Sequence, residues 1–186
     1  MTIYLETDRL HLRDWRDDDL EAFAAMNADK NVMEFYPAAY SRKQSDAFAE
    51  RLQQSLDDNG FGLYAVEVKS THNFIGYVGL AKAEFPAAFT PAVEIGWRLA
   101  FHSWGHGFAT EAARSCLAYG FSEFGLGELV SFTTRFNRRS IAVMERIGMS
   151  RNPDDDFEHP EIPAGDPQRP HVLYRIKNPG MSNLMG

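Results

Sequence analysis

Two short runs of this sequence hold residue types whose spacing suits the binding of an anion. The first covers residues 93–113, VEIGWRLAFHSWGHGFATEAA. A strand-like segment ends there, a turn with Gly105 and Gly107 follows, and a helical pattern opens. Two glycines let a backbone turn tightly and approach a ligand closely. The first N–H groups of a helix have no partner inside it, and with the helix dipole they favour phosphate or another anion. The same pattern also serves a plain turn ahead of a helix. Neither the dinucleotide fingerprint G-x-G-x-x-G nor a phosphate loop ending in Gly-Lys-Ser/Thr is present. The second run is RFNRRS, residues 135–140. Asn137 stands where an N-cap belongs. Arg135, Arg138 and Arg139 crowd a helix start, where cations oppose the dipole and an anionic ligand would offset that cost. An exposed, solvated basic turn is the other reading of these arginines.

The remaining candidates are less pointed. His159 and His171 could line an acceptor pocket, or stand as ordinary loop and strand-start residues. Cys116 falls on the apolar face of a helical pattern, where an inert buried thiol is expected. The six histidines show no metal-ligand spacing, so no metal is expected.

The elements that must position these runs are legible from periodicity. Leu10 and Leu12 alternate with Arg9, His11 and Arg13 as a short strand. Asp17, Asp18 and Asp19 open a helix with Leu20, Phe23 and Ala24 on one face. Ser41 and Gln44 match a capping box, Phe48, Leu52 and Leu56 follow, and Asn59-Gly60 ends that helix. Residues 61–68 and 74–82 predict a hairpin around the polar turn 69–73. Residues 93–99 predict a third strand, after a loop with Pro86 and Pro91. A long helix from Gly107, a strand at 128–134 and a helix at 138–147 come next, with Gly148 as its stop. A strand could also follow Gly148. Five of the nine prolines and six acidic residues fall in residues 152–170, which predicts a long loop. It could wall an acceptor site or simply be solvated. HVLYRI, residues 171–176, closes as a strand, and 177–186 is expected to be a tail.

The chain of 186 residues carries 19 Lys and Arg against 26 Asp and Glu, a formal net charge of −7. That length suits one domain with a core of its own. The acidity argues against a nucleic-acid binder. One cysteine precludes an intrachain disulfide and fits a reducing, cytoplasmic setting. No stretch suggests a membrane span or a secretory signal.

Taken together, the two runs resemble the GCN5-related N-acetyltransferases (GNAT), in the branch containing the ribosomal-protein alanine N-acetyltransferases. LETDRLHLRDW, residues 5–15, resembles that family's first strand, and residues 93–113 its acetyl-CoA pyrophosphate loop. NRRSIAVMERIGM, residues 137–149, resembles the next block, and HVLYRI the closing strand. The resemblance implies an α/β (α+β) fold, a mixed and splayed sheet of six or seven strands with about four helices, as a single domain over residues 1–176. It implies acetyl transfer from acetyl-CoA to a primary amine, on a protein N-terminus or a small molecule, by direct attack in a ternary complex.

Within that frame the pantetheine arm would pair with backbone groups at Trp97 and Leu99. The pyrophosphate would sit on the amides of Gly105, His106, Gly107, Phe108, Ala109 and Thr110. Asn137, Ser140 and Met144 would lie near the thioester, and the arginines, Arg138 among them, would face a phosphate. Glu94, between apolar Val93 and Ile95, would accept the amine's proton, or be a structural Glu bonded to the backbone or Arg98. Two departures stand out. Trp104 replaces the usual Arg or Gln of the loop, and Met144 occupies the place of a tyrosine acid. Methionine cannot donate a proton, so Ser140 would protonate or hydrogen-bond the leaving thiolate, if it is not merely a cap. The methionine keeps open a non-catalytic acyl-CoA-binding sensor as the alternative, and a generic nucleotide-phosphate binder stands behind it. An exposed final strand could pair two copies as a homodimer.

Overall fold

The computed structural model describes residues 2–180, with four α-helices and nine strands. It falls into two compact units. One holds the residues up to Ala81 together with Gly96–Cys116, and the other holds Lys82–Ile95 and the residues from Leu117 onward.

The first unit starts with β1 (Ile3–Glu6), β2 (Leu10–Arg13), α1 (Asp19–Ala28), α2 (Arg42–Asn59) and β3 (Leu63–Val68). It also takes most of β4 (Asn73–Ala83), the end of β5 (Ala92–Leu99) and the start of α3 (Phe108–Glu123). Strands β1 to β4 lie side by side in chain order and antiparallel, with Leu12 opposite Val66, and β5 follows β4. The capping box forms as expected: Ser41 Oγ accepts from Gln44 N–H and Gln44 Oε1 accepts from Ser41 N–H at 2.8 Å. Gly60 ends α2 in the left-handed conformation. The alternation at β2 buries Leu10 and Leu12 completely.

Two buried arginines tie this unit together. Arg13 on β2 donates to Asp19 Oδ2 at 2.7 Å, to Asp19 Oδ1 at 2.9 Å and to Glu67 at 2.8 Å. Asp19 is thus an ion-pair partner of β2 rather than a solvated first-turn acid. Removing Arg13 would leave Asp19 without its buried ion-pair partner, whereas Glu67 would keep Arg16 at 2.9 Å. Arg98 on β5 is 6% exposed and donates to Asn27 of α1 at 2.7 Å. Its guanidinium lies 4.0 Å from the ring centre of Tyr36, 5.7 Å from Tyr40, 5.8 Å from Phe48 and 5.5 Å from Tyr77.

In the second unit β5 meets β6 (Glu128–Thr134) in parallel, at Glu94 opposite Val130. Strand β9 (Pro170–Lys177) runs antiparallel to β6, with Val130 opposite Arg175 and Thr134 opposite His171. Helix α4 (Arg138–Arg146) follows β6 and ends at Gly148, whose φ is +88°. The strand after Gly148 is β7 (Ser150–Arg151).

Three expectations need correction. The N-terminal strand β1 went unpredicted, and together with the two-residue strands β7 and β8 (Phe157–Glu158) it raises the strand count above seven. The proline-rich segment is not structureless, since it contains a 3-10 turn at Pro153–Asp155 and β8. The closing strand is not an open edge: β6 pairs along one side of β9, and β7 and β8 pair along the other. Short strands therefore cover part of the edge that was expected to be exposed. The expected tail lies outside the described residues from residue 181 onward. Among the described residues no helix is long and apolar enough to cross a membrane.

Candidate active site

In the first unit, the turn ahead of α3 has the backbone its glycines allow. Gly105 and Gly107 both hold φ of +80°, a region that costs other residues strain. Glu111 N–H donates to the Gly107 carbonyl at 3.0 Å, so the first helical bond begins at Gly107. The amides of Phe108, Ala109 and Thr110 therefore lie in the first turn, where α3 itself offers no acceptors. Gly105, His106 and Gly107 are exposed. No atom comes within 4 Å of where a Cβ on Gly105 would stand.

Trp104 is explained by its indole, which donates to the Leu99 carbonyl at 2.8 Å and closes the turn onto the end of β5. Trp97 is partly exposed, while Leu99 is buried. Arg9 is the residue that sequence reading missed here. Its Nε donates to Glu111 Oε2 at 2.7 Å, and its guanidinium lies 4.6 Å from the centre of the Phe108 ring. Burial alone would raise the Glu111 carboxyl, but hydrogen bonds from Thr7 and Arg9 outweigh it and hold it below its ordinary range. Arg9 stands 102 positions before Glu111, so no local pattern could announce the pair.

In the second unit, Asn137 is the N-cap of α4, accepting from Ser140 N–H at 3.2 Å. Its Nδ2 donates to Thr133 Oγ1 at 3.1 Å and to Ser140 Oγ at 3.0 Å. With its oxygen accepting from Asn137, the Ser140 hydroxyl keeps its own proton for another acceptor. Met144 is 1% exposed and packs in the core with Ile141 and Ile147, so the apolar face of α4 explains its residue type. Arg135, Arg138 and Arg139 are all exposed, and Arg135 lies 5.0 Å from the ring centre of Phe136.

Glu94 keeps some accessible surface, yet protein surrounds its carboxyl closely enough that burial raises it to about 7. No hydrogen bond or ion pair reaches that carboxyl among the described residues, and Arg98 serves Asn27 instead. His159 and His171 come together with ring centres 5.0 Å apart. Cys116 is fully buried, which pushes its thiol up and leaves it inert. Among the described residues no three His, Cys, Asp or Glu side chains gather as a metal site.

Residues 9–150 match the family model described as the acetyltransferase (GNAT) domain. The chain is 34% identical over 146 residues to the protein YkkB of Bacillus subtilis (strain 168), covering 78% of this chain and 84% of that one. It is 30% identical over 181 residues to the FsC-acetyl coenzyme A-N(2)-transacetylase of Aspergillus fumigatus, covering 92% of this chain and 75% of that one. The crystal structure of a GNAT-family acetyltransferase from Bacillus anthracis matches with a TM-score of 0.78 and 26% identity, over 96% of this chain and 99% of that one. With a family match running from Arg9 at the glycine turn through the Asn137 cap, the chain belongs to the GNAT acetyltransferase family and is an acyltransferase.

Proposed function

We propose that this protein is an acetyl-CoA-dependent N-acetyltransferase acting on a primary amine, by direct attack within a ternary complex. Residues 1–176 are its single catalytic domain, and a reducing cytoplasm is its setting. The observation that carries the reading is Glu94 on β5, a closely surrounded carboxyl that no hydrogen bond or ion pair reaches among the described residues. The Aspergillus relative's name joins the same donor to a nitrogen acceptor.

The donor supplies its acetyl group as a thioester, and the residues do the rest. The first-unit amides from Gly105 to Thr110 hold the pyrophosphate, as a helix start does for an anion. Trp97 and Leu99 offer backbone groups to the pantetheine arm. Arg138 and its neighbours face the 3′-phosphate. Met144 backs the thioester end from the core. Glu94 takes the proton of the incoming ammonium, so that the neutral nitrogen can form its bond to the acetyl carbon. The C–S bond then breaks. Ser140, oriented by Asn137, donates a hydrogen bond to the departing sulfur, which takes up the second amine proton. The acceptor is a small-molecule amine or a protein N-terminus.

Thiol release with a panel of amines and N-terminal peptides tests this. Glu94→Gln keeps the shape and removes the base, and kcat is expected to fall about 100-fold with CoA affinity preserved. The sign of the pH effect follows from the raised carboxyl: below about 7 Glu94 is protonated and cannot accept, so kcat/KM steepens downward on that acid side. The variant should lose that steepening. Normal turnover of Glu94→Gln from about pH 6 to about pH 9 would mean that water alone removes the proton and the enzyme works by positioning.

A further inference from the structure

We infer that the acceptor carries a flat apolar group next to its amine, as an arylalkylamine or a peptide with an aromatic first residue does, and that a ring cluster on the Glu94 face of the second unit receives it. The inference rests on the acetyl-transfer reading and adds the substrate class.

The cluster joins four phenylalanines and two histidines from separate segments. Phe132 comes from β6, Phe157 from β8 and His171 from β9. His159 follows β8, and Phe85 and Phe89 come from the loop between β4 and β5. Phe85 lies 5.5 Å from Phe132 and 4.7 Å from His159 between ring centres. Phe89 lies 4.9 Å from Phe157, and Phe132 lies 5.7 Å from Phe157. Most of the Phe pairs meet edge to face. None of the six rings is buried; each keeps part of its surface in solvent. Phenylalanine is ordinarily an interior residue, so four half-covered ones in contact form an apolar surface that a guest would complete.

Strand register places this surface by the reacting group. Partners across a ladder share a face, and so do alternate residues along a strand. Glu94 opposite Val130 puts Glu94 on the face of Phe132 and Thr134. Thr134 opposite His171, and His171 opposite Phe157, extend that face to β9 and β8. Phe132 stands two residues beyond the partner of Glu94, about 7 Å along the strand. An amine at Glu94 thus has its substituent within reach of the rings.

The polar content argues for an uncharged guest. His171 Nδ1 lies 3.0 Å from the Arg169 carbonyl and must donate to it, which leaves Nε2 as an acceptor. His159 Nδ1 accepts from Glu161 N–H at 3.4 Å, which leaves Nε2–H as a donor. Burial lowers both imidazoles, His171 to about 4, so both are neutral at neutral pH. Surroundings that refuse a proton to two imidazoles disfavour a cationic substituent. They suit a ring that packs edge to face and shares a single polar contact.

The test compares 2-phenylethylamine with n-butylamine, and peptides beginning with Phe or Ala, using the full chain and acetyl-CoA. The aromatic member of each pair is expected to show a kcat/KM about 10-fold higher or more. Phe85→Ala and Phe89→Ala, both in the loop, should bring that ratio toward one, mainly through KM of the aromatic acceptor. Phe89→Leu keeps apolar bulk without a ring and should give an intermediate ratio. Thiol release with no preference for the ring, or a ratio untouched in folded Phe85 and Phe89 variants, overturns this inference alone and leaves the cluster as a small core beneath its loops. No release with any amine overturns acetyl transfer and this inference together.

Discussion

Helices α3 and α4 each begin after a strand and a short turn, but their first turns are completed by opposite means. At α3 the cap position is Gly107, which gives its carbonyl to Glu111 and has no side chain to offer the amides that follow. At α4 the cap is Asn137, whose oxygen takes the Ser140 amide and whose nitrogen holds the Ser140 hydroxyl. The first arrangement leaves backbone donors for something outside the chain. The second uses up a backbone donor and presents a positioned hydroxyl instead. Charge divides the same way. Glu111 in the first turn of α3 is turned aside by Thr7 and Arg9, while α4 opens with exposed Arg138 and Arg139. One helix start thus offers its main chain and the other its side chains, and in the proposed reading both face the donor.

The sharpest way to break that contrast is Gly107→Val. A β-branched residue at φ of +80° is strained by about 1–3 kcal/mol. Its bulk would also project toward Arg9, whose Nη2 stands 3.6 Å from the added Cβ. The dissociation constant for CoA, measured by calorimetry, should rise about 100-fold, in keeping with the loss of several charge-assisted bonds. Unchanged affinity in a folded variant would falsify the backbone site.

A smaller effect is expected from Asn137→Ala. Losing the cap should cost about 1 kcal/mol of stability, read as a lower Tm. It also releases Ser140 Oγ, so kcat should fall several-fold beyond any effect on CoA affinity. Asn137→Asp keeps the acceptor and loses the donors, so it should recover the Tm without the rate. Equal recovery of both would show that the cap alone matters.

The smallest effect belongs to Arg138→Gln with Arg139→Gln. Exposed charges are screened by salt, so CoA affinity should fall only a few-fold, and mainly at low ionic strength. Dephospho-CoA should bind the wild type and this variant alike. A full-strength preference for CoA in the variant would move the 3′-phosphate elsewhere.

Much of this was legible because local geometry demands particular residues. Ser41 with Gln44, Gly60, Gly105, Gly107, Asn137 and Gly148 each satisfy a backbone requirement that spans at most a turn. The strand Glu128–Thr134 matches its expected bounds because Gly125 and Gly127 interrupt the chain before it and the turn with Arg135 and Asn137 follows it. What escaped is long in range or short in extent. Arg13 with Glu67, and Arg9 with Glu111, join residues 54 and 102 apart. Strand β8 is only two residues long and is paired to β9, whereas the equally short β7 was expected after Gly148. Strand β1 escaped because its outer residues, Ile3 among them, are exposed and show no clean alternation. The ring cluster was visible only as two scattered histidines, since its six members lie on four separate segments.

Arg98 has a consequence for how the first unit comes apart. One guanidinium touches α1 through Asn27, the following connection through Tyr36 and Tyr40, α2 through Phe48 and β4 through Tyr77. Lifting either helix would expose that buried cation's hydrogen bond or its ring contacts, so neither helix can open cheaply alone. The two should behave as one cooperative opening unit, with amides of α1 and α2 exchanging at a common free energy while the termini of each fray separately. A lysine there could not replace the planar group that faces four rings at once. The end of β5 thus serves as a rivet, and the stiffness of the helical layer is set from inside the sheet.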